Sequence, residues 1–449
     1  MQIRENAGPS APYWSPRWWG LGGRWLALAA PLLVFAAQWA PAGAALSKPA
    51  FTLALAAAIL LGLSLFDPAL RRDLNRIRGL TTPAAAFGLA LLVIVWSLTP
   101  WAPGGPHPVW DYAGVSPPAS TVDKSRTLTE LFKLLGLAAV FALGLGLGSS
   151  DDRARLTAGV IAVFAGGLAL WSLIAFAADP LGAGGLRLGA PFRMPNPAAT
   201  MFGALLMAAL GVTVSRARAA PPQLRFSKTA PAGGLALLIL VAVLATASRG
   251  GFVATALGLV AFIALLTFGG AVKLSRAAVL SLGGLLLAAA ALGIFGDRLL
   301  DRLATNAWDA DGRRLLFQMH WEAFKAAPLM GYGLGTFDTV HRMVTAAASI
   351  QSVWTAAAAH NVYLNWLEQA GLFGALPMFT AIGAVLALTV RNALRRTRLK
   401  PILFGLLAAS VVVLVHGASD FALELYSIAM LWSLLLGLGF SAAQGSSVR

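Results

Sequence analysis

Apolar runs of roughly 17–22 residues recur along nearly the whole chain, each the length a helix needs to cross a bilayer. Short polar segments rich in arginine and glycine separate them. This pattern predicts an all-α, polytopic membrane protein of about a dozen transmembrane helices. The spans read as 25–41, 50–66, 83–99, 128–148, 156–177, 197–214, 233–247, 251–271, 276–295, 372–390, 401–417 and 421–440.

Residues 296–371 break the pattern as one long extramembrane loop. From Arg313 to Ala327, Leu316, His320 and Phe324 recur at helical spacing, which predicts an amphipathic helix too short and too polar to span. Such a helix suits the membrane surface. A second one is expected from His360 to Ala370. Its apolar stripe is Val362, Tyr363, Trp366, Leu367 and Ala370, with Asn361, Asn365, Glu368 and Gln369 opposite. Gly371 then turns the chain into the next span. Between the two helices, Gly331, Gly333 and Gly335 punctuate Pro328-Leu-Met-Gly-Tyr-Gly-Leu-Gly-Thr-Phe. No strand precedes them, which argues against a nucleotide cradle. They predict a tight turn that lets the backbone approach another element.

Composition agrees with these spans. The chain is 58% hydrophobic and 12% charged, where soluble domains carry about 25% charge. There is no cysteine, so disulfides and thiolate metal sites are excluded. The net charge of +16 comes from 34 Lys and Arg against 18 Asp and Glu. These charges sit between spans, so they report topology rather than nucleic-acid binding. With the N-terminus inside, roughly 21 basic residues fall inside and roughly 13 outside. The inner set includes Arg71, Arg72, Arg76, Arg78, Arg153, Arg155, Arg216, Arg218 and Arg391 to Lys400. The expected organisation is a cytoplasmic segment 1–24, helices 1–9 over 25–295, the outer loop 296–371, helices 10–12 over 372–440 and a cytoplasmic tail 441–449. The first apolar run and its Ala-Pro-Ala-Gly-Ala end loosely mimic a cleavable signal; the many spans that follow favour its retention as a membrane helix.

Arginines on the outer side run against this bias: Arg187, Arg193, Arg249, Arg298, Arg302, Arg313, Arg314 and Arg342. Arginine is the preferred residue for bidentate capture of phosphate oxygens. Arg249 stands out, because it lies between two apolar spans with almost no loop to solvate it. A charge at a helix centre in the bilayer costs on the order of 2.5–3.5 kcal/mol, less near the end, so such a residue marks a functional site. His360, at the start of the second amphipathic helix on the arginine-rich side, reads equally as a structural histidine or as a group for proton transfer. His416, Asp420 and Glu424 are polar groups between the last two spans, and Asp420 is suited to pair with an arginine. Asp309 and Asp311 form an Asp-x-Asp that reads as loop solvation. No outer carboxylate cluster suits Mg²⁺, so neither metal nor cofactor is expected.

These residues carry a resemblance. Ser125-Arg126-Thr127-Leu128, Arg187-Leu-Gly-Ala-Pro-Phe with Pro195-Asn196, and Ser248-Arg249-Gly250 are similar to motifs of the O-antigen ligase superfamily. So are Gly312-Arg313 through Phe337, His360-Asn361 with Glu368 and Gly371, and His416 with Asp420-Phe421. The ordered set covers roughly residues 80–440. Two departures exist: the glycine after Arg187 stands one place early, and Ala358 replaces the first histidine of the common His-x-His-Asn.

The resemblance implies a type-C-like membrane glycosyltransferase with a helical periplasmic loop, in the bacterial inner membrane. It implies a polyprenyl-diphosphate-linked donor and inversion by single displacement at the periplasmic face. Arg187, Arg249 and Arg313 are then candidates for the donor diphosphate. His360 is the candidate base, since an imidazole titrating near about 6.5 suits neutral pH. Glu368 is the candidate to orient it or to pair with an arginine, and Asn196, Ser248, Asn361 and Asp420 are supporting residues. The partners are an undecaprenyl-diphosphate-linked glycan, a lipid A–core or other glycan acceptor, and membrane lipid, with no nucleic acid. A ligase transfers to lipid A–core; a polymerase transfers to another lipid-linked repeat. A transporter or flippase predicts matched repeats and a mid-membrane site, and neither is visible in the sequence.

The topology is directly testable, because the chain has no native cysteine. A cysteine introduced at Ala347 is expected to react with an impermeant reagent from the outer side; labelling from the cytoplasmic side alone overturns the orientation.

Overall fold

In lipid every backbone N–H and C=O must be satisfied within the segment, so each apolar run has little alternative to helix. The computed structural model describes residues 23–41, 47–179, 186–272 and 307–445, apart from 348, 355 and 357; the side chains of 47 and 307–311 lie outside that description. The helices are α1 (Leu26–Ala36), α2 (Ser47–Leu65), α3 (Pro68–Leu74), α4 (Thr81–Ser97), α5 (Lys124–Gly148), α6 (Asp151–Ala178) and α7 (Pro195–Ala219). They continue as α8 (Arg225–Ala245), α9 (Arg249–Phe268), α10 (Ala307–Ala326), α11 (Phe337–Val344), α12 (Val362–Arg395), α13 (Lys400–Gly417) and α14 (Tyr426–Gln444). Among the described residues, nine helices are long and apolar enough to cross a membrane: α2, α5 to α9 and α12 to α14. Two of the expected spans are shorter apolar helices, Leu26–Trp39 and Thr81–Ser97. The expected span 276–295 lies outside the described residues, as do Arg298 and Arg302. This is the all-helical, polytopic membrane protein that the apolar pattern predicts.

Burial sorts the helices into a centre and a periphery. The apolar windows of α7, α13 and α14 are 78%, 78% and 83% buried, against 17% for α2. Leu55, Ile59, Leu92, Val163, Ile174 and Val260 stay exposed on the outer helices, as expected of faces whose solvent is lipid. Small residues let the central helices touch. A Cβ on Gly144 of α5 would lie 2.6 Å from the Leu434 carbonyl of α14, and one on Gly211 of α7 2.7 Å from the Pro401 carbonyl of α13. Close backbone approach of this kind drives helix association where apolar burial cannot.

Polar contacts between elements gather at the two ends of the bundle. At one end Arg153 donates to Asp73 at 2.8 Å, Arg396 meets Asp151 and the Gly445 carbonyl, and Lys400 donates to the Gly269 carbonyl at 2.6 Å. All belong to the loops that the basic-residue bias assigns to the inside. The loops assigned to the outside meet one another at the other end, where the candidate residues lie.

There α10 buries Leu316, His320, Ala323 and Phe324 and exposes Phe317 and Trp321, the face its spacing predicts. Gly371 breaks α12 (φ 59°, ψ −174°), so the chain does turn there. One expectation is overturned. The helix over 362–370 does not lie with a polar face exposed: Asn365, Glu368 and Gln369 are buried, as are Val362 and Ala370 of the apolar stripe, while Tyr363, Trp366 and Leu367 are partly covered. Glu368 and Gln369 have partners inside. The Glu368 and Gln369 carbonyls accept the Tyr332 and Gly333 N–H groups at 3.1 and 2.8 Å, and Gln369 Oε1 accepts Gly335 N–H at 2.5 Å.

The glycine-rich turn is therefore a backbone clamp. Gly331 has φ +65°, and a Cβ there would collide with the Glu368 and Gln369 backbone. We predict that Gly331→Ala destabilises the protein by at least about 1 kcal/mol, since a left-handed residue alone costs about 1–3 kcal/mol. Gly383→Ala, in α12 with open space around it, serves as the neutral or stabilising control. Equal thermal melts for the two variants contradict the clamp.

Candidate functional site

The site begins with a helix cap. Ser248 precedes α9, and its Oγ accepts the Gly251 N–H at 3.2 Å. Capping by serine fixes the start of the helix and leaves other first-turn N–H groups and the positive end of the helix dipole facing outward. Beside it α7 starts with Pro195 and Asn196, proline being pre-set for a first helical turn. Asn196 Oδ1 accepts two hydrogen bonds, from Arg187 Nη2 at 3.1 Å and from Ser248 Oγ at 3.0 Å. Arg187 Nε donates to the Thr246 carbonyl at 2.9 Å, and Leu188 N–H donates to the Ala245 carbonyl at 2.9 Å. One amide oxygen thus ties the 186–194 loop to the start of α9.

These groups line an open pocket of about 370 Å³, together with Arg249, Gly250, Arg313 and His416. Arg187, Arg249 and Arg313, read separately from the sequence, come from three segments to the same place. Arg193, Arg314 and Arg342 are not among the lining residues. Asp420 lies fully buried, next to this network. Burial pushes its carboxyl up to about 6, against the opposing pull of Arg313, Asn196 and the N–H groups of Phe421 and Ala422.

His416 is the lining residue that the sequence reading left without a role. It ends α13 and contacts Thr200 of α7, with Nδ1 and Oγ1 2.6 Å apart. Both side chains are buried. A histidine in the last turn of an apolar span, four residues before an aspartate, was the available signal.

The other sequence candidates lie apart from the lining. His360 adopts φ +52° and stands edge-on to Phe421, with ring centroids 4.8 Å apart. Asn361 caps α12, its Oδ1 accepting the Tyr363 and Leu364 N–H groups at 3.0 and 3.1 Å. Glu368 is fully buried against His320, whose Nδ1 is 2.8 and 2.9 Å from the two carboxylate oxygens. The partner expected for Glu368 was an arginine or the base; the structure pairs it with this histidine.

Sequence reasoning missed that His320 belongs to a chain of hydrogen bonds. Its Nε2 meets His341 Nδ1 at 3.1 Å, and His341 Nε2 meets the Val353 carbonyl at 3.1 Å. A carbonyl only accepts, so His341 donates from Nε2. Burial holds the His341 imidazole below the usual histidine range, which makes its Nδ1 an acceptor. His320 must then donate from Nε2, and one further proton must lie between His320 Nδ1 and Glu368. The arrangement is linear. Among the described residues no group of three or more His, Asp or Glu is placed to hold a metal ion. The side chains of Asp309 and Asp311 lie outside the description.

Three guanidinium groups and a helix N-terminus in one pocket gather positive charge and N–H donors, the features that anions such as phosphate bind. Residues 234–379 match the family model described as O-antigen ligase. The match supports the resemblance to the O-antigen ligase superfamily and a function of the O-antigen ligase or polymerase type, in a family of membrane glycosyltransferase-like enzymes. A comparison with curated proteins gives no match. The matched region contains Ser248, Arg249, Arg313, His360 and Glu368; Arg187, Asn196, His416 and Asp420 lie outside it and are joined to it by the fold.

Asp420 supplies a test of the pocket's charge. Above about pH 6 its carboxylate is ionised and opposes anion binding. We predict that Asp420→Asn binds farnesyl diphosphate roughly fivefold more tightly than wild type at pH 8, where one charge near a protein surface is worth ~1 kcal/mol or more. At pH 5, where Asp420 is already protonated, the two proteins should bind alike. A ratio that does not change with pH means that Asp420 carries no charge coupled to the pocket.

Proposed function

We propose that this protein is an O-antigen ligase. It transfers a glycan from undecaprenyl diphosphate to an acceptor hydroxyl on lipid A–core, at the periplasmic face of the bacterial inner membrane. The observation that supports this reading best is the convergence of Arg187, Arg249 and Arg313 with the N-terminus of α9 on one pocket. The family match supports the reaction type, and the outward arginines, read from the basic-residue bias, support the face.

The chemistry follows from the charges. The acceptor oxygen attacks the anomeric carbon of the donor sugar; the new C–O bond forms as the bond to the diphosphate oxygen breaks. The electron pair leaves with undecaprenyl diphosphate, so negative charge grows on phosphate oxygens. Fixed guanidinium groups aimed into the pocket stabilise that charge as it develops. The hydroxyl proton goes to His360, the candidate base, which stands against Phe421 beside the buried Asp420. Asn361 caps the helix that follows His360 and so fixes the backbone next to it. Glu368, two turns on, holds the outer segment through His320.

Reconstitution with a synthetic lipid-diphosphate glycan and purified lipid A–core tests this reading. Transfer to lipid A–core is expected; transfer to a second lipid-linked glycan instead would make the protein a polymerase. Arg249→Ala should abolish transfer with expression intact. Arg249→Lys should recover little, because a point charge does not reproduce the two-toothed guanidinium contact. Near-normal transfer by the lysine variant rejects bidentate capture. His360→Ala should lose about 10²–10⁴-fold in single-turnover rate yet keep donor binding. Binding that falls in step with rate, or a rate barely changed, removes His360 as the base.

A further inference from the structure

Resting on the donor-site reading above, we infer that His416 is a ligand-contacting residue, whose Nε2–H donates a hydrogen bond to an oxygen of the bound diphosphate. Thr200 holds it in that tautomer.

The argument starts from the contact between Thr200 and His416. At 2.6 Å it is short for an N–H···O bond, whose usual range begins near 2.7 Å, and ordinary for a hydroxyl donor. The Thr200 hydroxyl has one proton and two candidate acceptors. The other is its own helix carbonyl at Asn196, 3.3 Å away, and the shorter contact takes the proton. Nδ1 of His416 is then an acceptor, and the ring proton of the neutral imidazole sits on Nε2.

Nε2 lies on the pocket side. A Cβ on Gly250 would stand 2.9 Å from Nε2 and 3.0 Å from Cδ2, and Gly250 itself lines the pocket. Gly250 is helical, with no left-handed backbone to require glycine; what its missing side chain provides is room for the imidazole. The groups around Nε2 are Arg249 from α9, Arg313 from α10, Arg187 from the 186–194 loop and, behind them, Asp420. Apart from Asp420 these present donors. A neutral N–H among guanidinium groups adds a directed hydrogen bond without adding charge, which suits an anion with several oxygens to satisfy.

Five variants in nanodiscs, with farnesyl diphosphate as the probe, test the assignment by calorimetry. His416→Phe keeps ring volume and removes the donor; it should bind about tenfold more weakly, the size expected for a hydrogen bond to a charged group. His416→Gln keeps an N–H near the Nε2 position and should stay within about threefold of wild type. Thr200→Val removes the hydroxyl at constant shape and should weaken binding about threefold, and Thr200→Ser should restore it. That rescue distinguishes the positioning role from packing. Wild-type affinity in His416→Phe, or a glutamine variant no better than phenylalanine, overturns the inference. If neither His416 variant folds, unchanged affinity in Thr200→Val overturns it. Arg249→Ala separates the two levels. If it too binds farnesyl diphosphate normally, the donor-site reading fails; if it loses binding while His416→Phe keeps it, only the role of His416 fails.

Discussion

The outer end of this protein is organised around the side-chain oxygen of Asn196. It accepts from Arg187 and from Ser248, and so joins a loop, the start of α7 and the cap of α9. Bringing three arginines into one pocket works against their mutual repulsion, and the cost grows as water is excluded. Two groups offset it: the Thr246 carbonyl, which accepts from Arg187, and the Asp420 carboxyl, which attracts Arg313 through its charge. An amide is well matched to the junction. Its oxygen takes two donors while its nitrogen can face the Asp420 carboxyl, a combination that neither aspartate nor leucine of similar size supplies.

A second constraint sets where α10 delivers Arg313. Seven residues on, His320 is locked to Glu368 of α12 and to His341 of α11, so three elements of the outer segment share one buried polar chain. The glycine clamp fixes the same region through the backbone, with Tyr332 and Gly333 bonded to the carbonyls of Glu368 and Gln369. Side chain and carbonyl of Glu368 therefore hold different partners. Removing that carboxylate would leave His320 buried without its acceptor, a larger loss than the bond itself.

Much of this was legible in the chain. The spans followed from apolar length, and the pocket arginines from their place on the side that the basic-residue bias disfavours. Arg249 was the clearest, because no loop exists to solvate it. What was not legible depends on partners distant in sequence. His320 sat within an apolar stripe and read as one more buried position. Thr200 and His416 lie 216 residues apart; His416 stood out as a polar group at the end of a span, but nothing along the chain pairs it with Thr200. The 362–370 helix shows why periodicity stops short: spacing separates two faces, but which one is buried depends on what the facing element offers. Here His320 of α10 and the Gly335 N–H of the glycine turn meet the Glu368 and Gln369 side chains, so the polar face is buried along with Val362 and Ala370 of the apolar one.

The same residue type serves two purposes at the two ends of the bundle. Arg153 binds Asp73, Ser149 and the Gly146 carbonyl, and Arg396 binds Asp151 and the Gly445 carbonyl. Those guanidinium groups direct their donors at loops of the protein and hold one end of the helices together. At the other end Arg187, Arg249 and Arg313 line a shared cavity. Arg187 uses Nε and one Nη for positioning. Lysine at the inner end could preserve the charge bias that sets topology, since that bias counts lysine and arginine alike. It could not reproduce the pocket geometry, where one guanidinium bonds the Thr246 carbonyl and the Asn196 side chain through different nitrogens. The basic residues thus form two kinds of structure: a set of anchors at one end and three arginines converging on one pocket at the other.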